Sequence, residues 1–181
     1  MKAVLSNRIY LSVNKEQTNH LERELTYSIA PRIPSDPPIV FKTFRYVREG
    51  LCSVPMGRED LIPSDYEIVD KRVVNEIEHP DFAYKLRPSQ QMAYDEVYDN
   101  SIINAWVSWG KTITALAIAA KLGQKTLVVT HTTNLRNQWE KEVKKSFGYT
   151  AGRIGSGMFN IDAPICVGNI QTLYRRMDVL K

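Results

Sequence analysis

The sequence is poor in several things that particular chemistries require. It has two cysteines, Cys52 and Cys166, far apart and without metal-ligand spacing. They read as reduced structural thiols, which excludes a disulfide scaffold. Its three histidines, His20, His79 and His131, form no ligand pattern, so no zinc module is expected. No run of about 18 apolar residues occurs, and no membrane-spanning helix is expected. The opening MKAVLSNRIYLSVNKEQ is broken by charge and polarity too early for a secretory signal. No internal repeat is visible. These shortages together lead to an expectation of a cytoplasmic protein.

What remains is an ordinary globular composition, 43% apolar and 24% charged over 181 residues. That length suits one large domain or two small ones. The net charge of +4 is unevenly spread. Residues 1–84 hold 11 Lys and Arg against 13 Asp and Glu, and residues 85–181 hold 13 against 7, giving −2 and +6. A basic second half suits a polyanionic partner such as nucleic acid, although a basic surface alone does not require one.

The first half reads as a small mixed α/β domain over 1–80. Val4, Ile9, Leu11 and Val13 suggest strand, with a turn near Asn7-Arg8. Leu21 and Leu25 in TNHLERELTYSI suggest a short helix capped by Thr18 or Asn19. APRIPSDPPIV, with four prolines in eleven residues, must be loop or extended chain. FKTFRYV and LCSVPM flank Arg48-Glu49-Gly50 as a hairpin. EIEHPDFAYKLRPSQ, residues 76–90, carries prolines and charge and marks a boundary.

From residue 85 to 181 the pattern alternates. Ser89–Tyr98 reads as helix and SIINA as a short buried strand. Lys111–Leu122 reads as a helix closed by Gly123, and TLVVT as a β-branched strand. Leu135, Trp139, Val143 and Phe147 mark a helix that starts at Asn134 and ends at Gly148. GRIGSG reads as a turn, APICVGN as a buried strand, and Ile170, Leu173, Met177 and Leu180 as a last helix. Such alternation predicts a parallel sheet covered by helices.

The chemistry centres on Ala105-Trp106-Val107-Ser108-Trp109-Gly110-Lys111-Thr112. The spacing from Ala105 to Gly110-Lys111-Thr112, after a strand and opening a helix, is that of a phosphate-binding loop with its first glycine replaced. Loop and helix N–H groups would face the β- and γ-phosphates. Lys111 would add charge there, and the Thr112 hydroxyl would be a ligand of Mg²⁺. An ATPase of this type also needs an apolar strand ending in Asp, usually followed by Glu. After Thr112 the acidic residues are Glu140, Glu142, Asp162 and Asp178. The first two lie on an amphipathic helix, Asp162 precedes a strand, and Asp178 falls in the last helix. None completes the site.

Residues 86–181 resemble the first half of the first motor domain of superfamily two DNA helicases, above all the XPB-like group and the helicases of large tailed phages. LRPSQQMAYDEV resembles that group's LRPYQxxAL segment, which implies adenine recognition by Gln90 with support from Arg87. AWVSWGKT stands where many members have APTGSGKT. LVVTHTTNLRNQWEKEV resembles a segment that contacts the DNA backbone, which implies such contacts for Thr132 and Arg136, with Leu135 and Trp139 in the core. RIGSG and PICVGNIQTLYRR resemble the next DNA-side segments and imply strand contacts for Asn169, Gln171 and Thr172. Thr132, Thr133 or Asn134 reads equally well as a helix cap, and both readings stay open. The opening residues, with PMGREDLIPSDYEIVDKR, resemble the phage enzymes' N-terminal domain, which is associated with DNA recognition.

The resemblance implies a partial RecA-like P-loop fold using ATP and Mg²⁺ and bound to single-stranded or branched DNA. The cytoplasm is then that of a bacterium or of a phage-infected host. It also implies that the strand ending in Asp-Glu and the second motor domain lie beyond Lys181. The expected function is the N-terminal portion of an ATP-dependent DNA helicase that does not hydrolyse ATP alone. The sheet edge left open after its third strand implies either a poorly soluble isolated chain or docking onto a companion chain that supplies the rest. The alternatives are a non-enzymatic DNA-binding module and a small nucleotide kinase. The kinase lacks support, because neither an Arg-rich lid nor an acceptor-site signature is present.

Overall fold

The computed structural model describes residues 1–33 and 35–178. The chain forms two compact units, Met1–Val73 and Val74–Lys181. In the first, strands β1 (Lys2–Leu5) and β2 (Ile9–Ser12) form an antiparallel hairpin. Helix α1 spans Lys15–Glu24. It begins earlier than expected. Asn14, and neither Thr18 nor Asn19, caps it, because Asn14 and Gln17 satisfy each other's backbone N–H groups in a capping box.

The hairpin of β3 (Thr26–Ile29) and β4 (Ile39–Lys42) follows, with the proline-rich stretch between its strands. The expected hairpin around Arg48-Glu49-Gly50 is β5 (Arg45–Arg48) and β6 (Leu51–Val54). A last strand, β7 (Glu67–Asp70), pairs parallel with β1. The sheet order is β5-β6-β2-β1-β7. Alternate residues Ala3, Leu5, Ile9, Leu11, Cys52 and Val54 point to one face, where Leu21 and Leu25 cover them.

In the second unit, α2 spans Pro88–Glu96 and α3 Lys111–Leu122, with Gly123 left-handed at the C-cap as expected. Strand β8 (Thr126–Thr130) leads to α4 (Thr133–Phe147), which Gly148 ends in the same way. Strands β9 (Gly152–Gly155) and β10 (Met158–Phe159) follow, then β11 (Ile165–Asn169) and α5 (Ile170–Arg175). The sheet order is β10-β9-β11-β8. Strands β9, β11 and β8 run parallel, and β10 is antiparallel to β9. Val143 and Phe147 of α4 pack on Ile165 and Val167 of β11 and on Leu116 of α3. The architecture is α/β with a parallel sheet core, as the alternation predicted.

Three expectations in this unit are corrected. GRIGSG is not merely a turn. Its first four residues are β9, and only Ser156-Gly157 turns the chain into β10. SIINA is neither strand nor buried: Ile102 is 98% exposed. A strand exists only by pairing, and no described residue pairs with 101–105. The last helix stops at Arg175, and Met177 lies in a turn. Leu180 falls outside the described residues.

Candidate nucleotide and DNA interface

The loop before α3 is shaped by its backbone. Gly110 has φ 94 and Ser108 φ 65, both left-handed. That conformation is natural for glycine and strained for serine. A Cβ on Gly110 would stand 2.4 Å from Gln90 Nε2 and 3.1 Å from the Arg87 guanidinium. Both side chains close on the loop from α2. Gln90 Nε2 donates to the Trp109 carbonyl at 3.0 Å, and Arg87 donates to the same oxygen. Gln90 is 4% exposed and also accepts from the Arg87 N–H at 2.9 Å.

Lys111 crosses the loop and donates to the carbonyls of Ala105 at 3.1 Å and Trp106 at 2.9 Å. Trp109 is half-buried and donates from its indole to Ser89 Oγ at 3.2 Å. Trp106 and Val107 are exposed. No side chain caps α3, so the N–H groups of its first turn remain open to an anion. The half-buried Thr112 stands in that turn. Among the described residues no group of three His, Cys, Asp or Glu side chains could hold a metal ion.

A second polar cluster gathers where β8, β9 and β11 end. Thr132 is exposed and caps α4, accepting from Leu135 N–H at 3.2 Å. The capping reading therefore describes its bond in this structure. Arg136 is 2% exposed and spends its donors inside the protein. It reaches Asn169 Oδ1 at 2.8 Å, Ser156 Oγ at 3.1 Å and Asn137 Oδ1 at 3.3 Å. Glu140 lies 3.4 Å from Arg136 Nε and also pairs with Arg153. That second pairing holds the Arg153 guanidinium above its usual pKa. Gln171 is exposed and donates to the His131 carbonyl at 3.3 Å. Thr172 is half-buried.

The structure thus gathers Arg87, Gln90, Trp109, Gly110 and Lys111 at one place, and Arg136, Asn169 and Ser156 at another. Ser156 and Glu140 were missed from sequence. A signal existed for Glu140: Arg136, Glu140, Val143 and Phe147 follow the i, i+4, i+7, i+11 pattern of one helix face.

Residues 83–181 match the family model described as type III restriction enzyme, res subunit, and the chain belongs to this family. Among individual proteins it is similar to the probable helicase D10 of Escherichia phage T5. The two are 41% identical over 184 residues, a match covering 99% of this chain and 41% of that protein. The superfamily two and phage resemblance read from AWVSWGKT and NLRNQW therefore stands. No helix among the described residues is long and apolar enough to cross a membrane.

Proposed function

We propose that this chain is the nucleotide- and DNA-contacting N-terminal portion of an ATP-dependent DNA helicase, and that it binds ATP without hydrolysing it. The observation that carries this reading is the loop. A glycine at φ 94 leads directly into an uncapped helix whose first residue is lysine. That arrangement offers backbone donors, the helix dipole and a mobile cation to one phosphate group.

Phosphate entry would draw Lys111 Nζ from the Ala105 and Trp106 carbonyls onto the β- and γ-oxygens. Thr112 Oγ1 would hold Mg²⁺, which arrives with the nucleotide and neutralises phosphate charge. Gln90 and Arg87 form the adenine side. Both now bond the Trp109 carbonyl, so base binding and loop position are linked through one oxygen.

Turnover needs carboxylates that hold the metal and orient water. Strand β8 leads into His131 and β11 ends in Asn169, so neither supplies one. We assign those groups to polypeptide outside these residues, whether a continuation or a companion chain. The 101–105 segment, with which no described residue pairs, and the exposed Leu127 and Val129 on edge strand β8 support this assignment. DNA would lie against Thr132, Asn169, Gln171 and Thr172, with residues 1–80 as a recognition domain.

The test is titration of the chain with magnesium and a slowly hydrolysed ATP analogue, followed by fluorescence of Trp106 and Trp109. Saturable quenching that Lys111→Ala weakens at least about tenfold is expected. Salt-sensitive DNA binding with no nucleotide response, unchanged in Lys111→Ala, would instead establish the DNA-binding module.

A further inference from the structure

Arg136 presents a physical problem whose solution bears on DNA contact. A buried guanidinium is costly unless its charge and its donors are met. Here the charge is only partly met. Glu140 is shared between Arg136 and Arg153, which leaves the trio one unit positive. Arg136 Nε stands within ion-pair range of Glu140 but completes no hydrogen bond.

Space has been made for this group. Gly155 adopts φ 140, and a Cβ there would lie 2.5 Å from Arg136 Nη1 and 2.8 Å from Asn169 Oδ1. The planar fork then ties three elements together: the first turn of α4, the β9–β10 turn through Ser156, and the end of β11 through Asn169. A lysine point charge could not serve Asn169, Ser156, Asn137 and Glu140 from one fixed plane.

The bond to Asn169 has a directional consequence. Arg136 can only donate, so it fixes the Asn169 carbonyl oxygen inward. The amide nitrogen Nδ2 is left as a donor with no partner among the described residues. It is not one of the enclosed orphan atoms, so the residue's 8% exposure includes this group. Ser156 and Gly157 follow the end of β9, Thr132 that of β8 and Gln171 that of β11, and all four are exposed.

We propose that Arg136 is a positioning residue of the strand-contact surface. By holding Asn169 Oδ1 and Ser156 Oγ, it turns the Asn169 Nδ2 donor outward onto a sugar–phosphate oxygen and locks the β9–β10 turn beside it. This rests on the DNA-contact reading of Asn169 given above. Neutral side-chain donors such as Asn, with backbone N–H groups and basic residues, make the phosphate contacts that fix register without reading sequence. The positive trio beneath adds attraction without touching the strand.

The experiment is fluorescence-anisotropy binding of a labelled oligothymidine strand to the full chain across a salt series. The variants are Asn169→Asp, Arg136→Met and the pair. Asn169→Asp keeps the acceptor for Arg136 and removes the outward donor. It should melt no lower than the parent chain and bind about tenfold more weakly. Arg136→Met should weaken binding about fivefold while retaining the salt slope, because a direct phosphate contact would lower that slope by about one. The double variant should bind no more weakly than Asn169→Asp alone, since the two residues act as one unit.

Losses that multiply, or parent-like binding by a folded Arg136→Met, would overturn the proposal. If Arg136→Met does not fold, parent-like binding by Asn169→Asp overturns it alone. Failure of the parent chain to bind DNA would overturn the DNA reading itself, and the positioning role with it.

Discussion

The two candidate sites in the second unit are built in opposite ways. The loop at 101–112 is held by hydrogen bonds to its own carbonyls from Lys111, Gln90 and Arg87, and no described residue pairs with its leading segment. The cluster at the ends of β9 and β11 stands on a fully buried strand and is cross-linked by one arginine. Paired backbone and packed side chains fix geometry before a ligand arrives, so the surface proposed to face DNA is preorganised. Unpaired backbone does not, so the loop proposed to take the nucleotide is open to rearrangement. The contrast follows from what surrounds each segment, since both sequences are apolar runs leading into helices.

The strongest way to break this contrast is to cut equivalent side chains on the two sides. Ile165 is fully buried in β11, while Ile102 is almost wholly exposed. Ile165→Ala should cost about 3 kcal/mol in urea unfolding, and Ile102→Ala less than about 0.5 kcal/mol. Equal losses would mean that residues 101–105 are packed after all.

A second effect appears at high pH. Burial pushes the Tyr149 hydroxyl pKa up to about 12, above the usual tyrosine range, and the group lies by the Ile165 backbone without completing a hydrogen bond. A raised folded pKa means that the unfolded chain deprotonates first. Stability should therefore hold below about pH 10 and fall between about pH 10 and 12. Tyr149→Phe should remove that fall while changing stability little at pH 7, because no bond is lost. An unchanged pH profile in the variant would place the titration elsewhere.

The smallest effect sharpens the loop side. Ser108 stands under the glycine of the helicase segment APTGSGKT and adopts φ 65. Ser108→Gly should relieve roughly 1 kcal/mol of backbone strain. Because a more flexible loop also loses more order on binding, the unfolding midpoint should rise while nucleotide affinity moves less than about threefold. A lower midpoint would show that the serine side chain stabilises this turn.

Much of this was legible in the sequence. Helices α3 and α4 announced themselves through period and through Gly123 and Gly148, which end both in the left-handed conformation. Strands β8 and β11 were legible as short β-branched runs. SIINA carried the same local signal and failed, because apolar composition says nothing about whether a pairing partner exists. Strand β7 was missed for the converse reason: EIVD is largely exposed, lacks alternation and exists through pairing with β1.

The burial of Arg136 was hidden by a choice of spacing. A row of every fourth residue, through Leu135 and Trp139, drifts off a helix of 3.6 residues per turn. Those two side chains are only half-buried, and the true inner face runs through Arg136 and Glu140. The loop residues were legible as a motif, whereas their tethering to Gln90 and Arg87 depends on three-dimensional proximity.

The central claim is that the chain holds a nucleotide at Lys111 and Thr112 but lacks the groups to cleave it. The most direct measurement is phosphate release from ATP by the purified 181-residue chain, with magnesium and single-stranded DNA present and Lys111→Ala as control. The account predicts no release above that of Lys111→Ala, in a preparation that still binds the ATP analogue. Steady turnover that disappears in Lys111→Ala would contradict it.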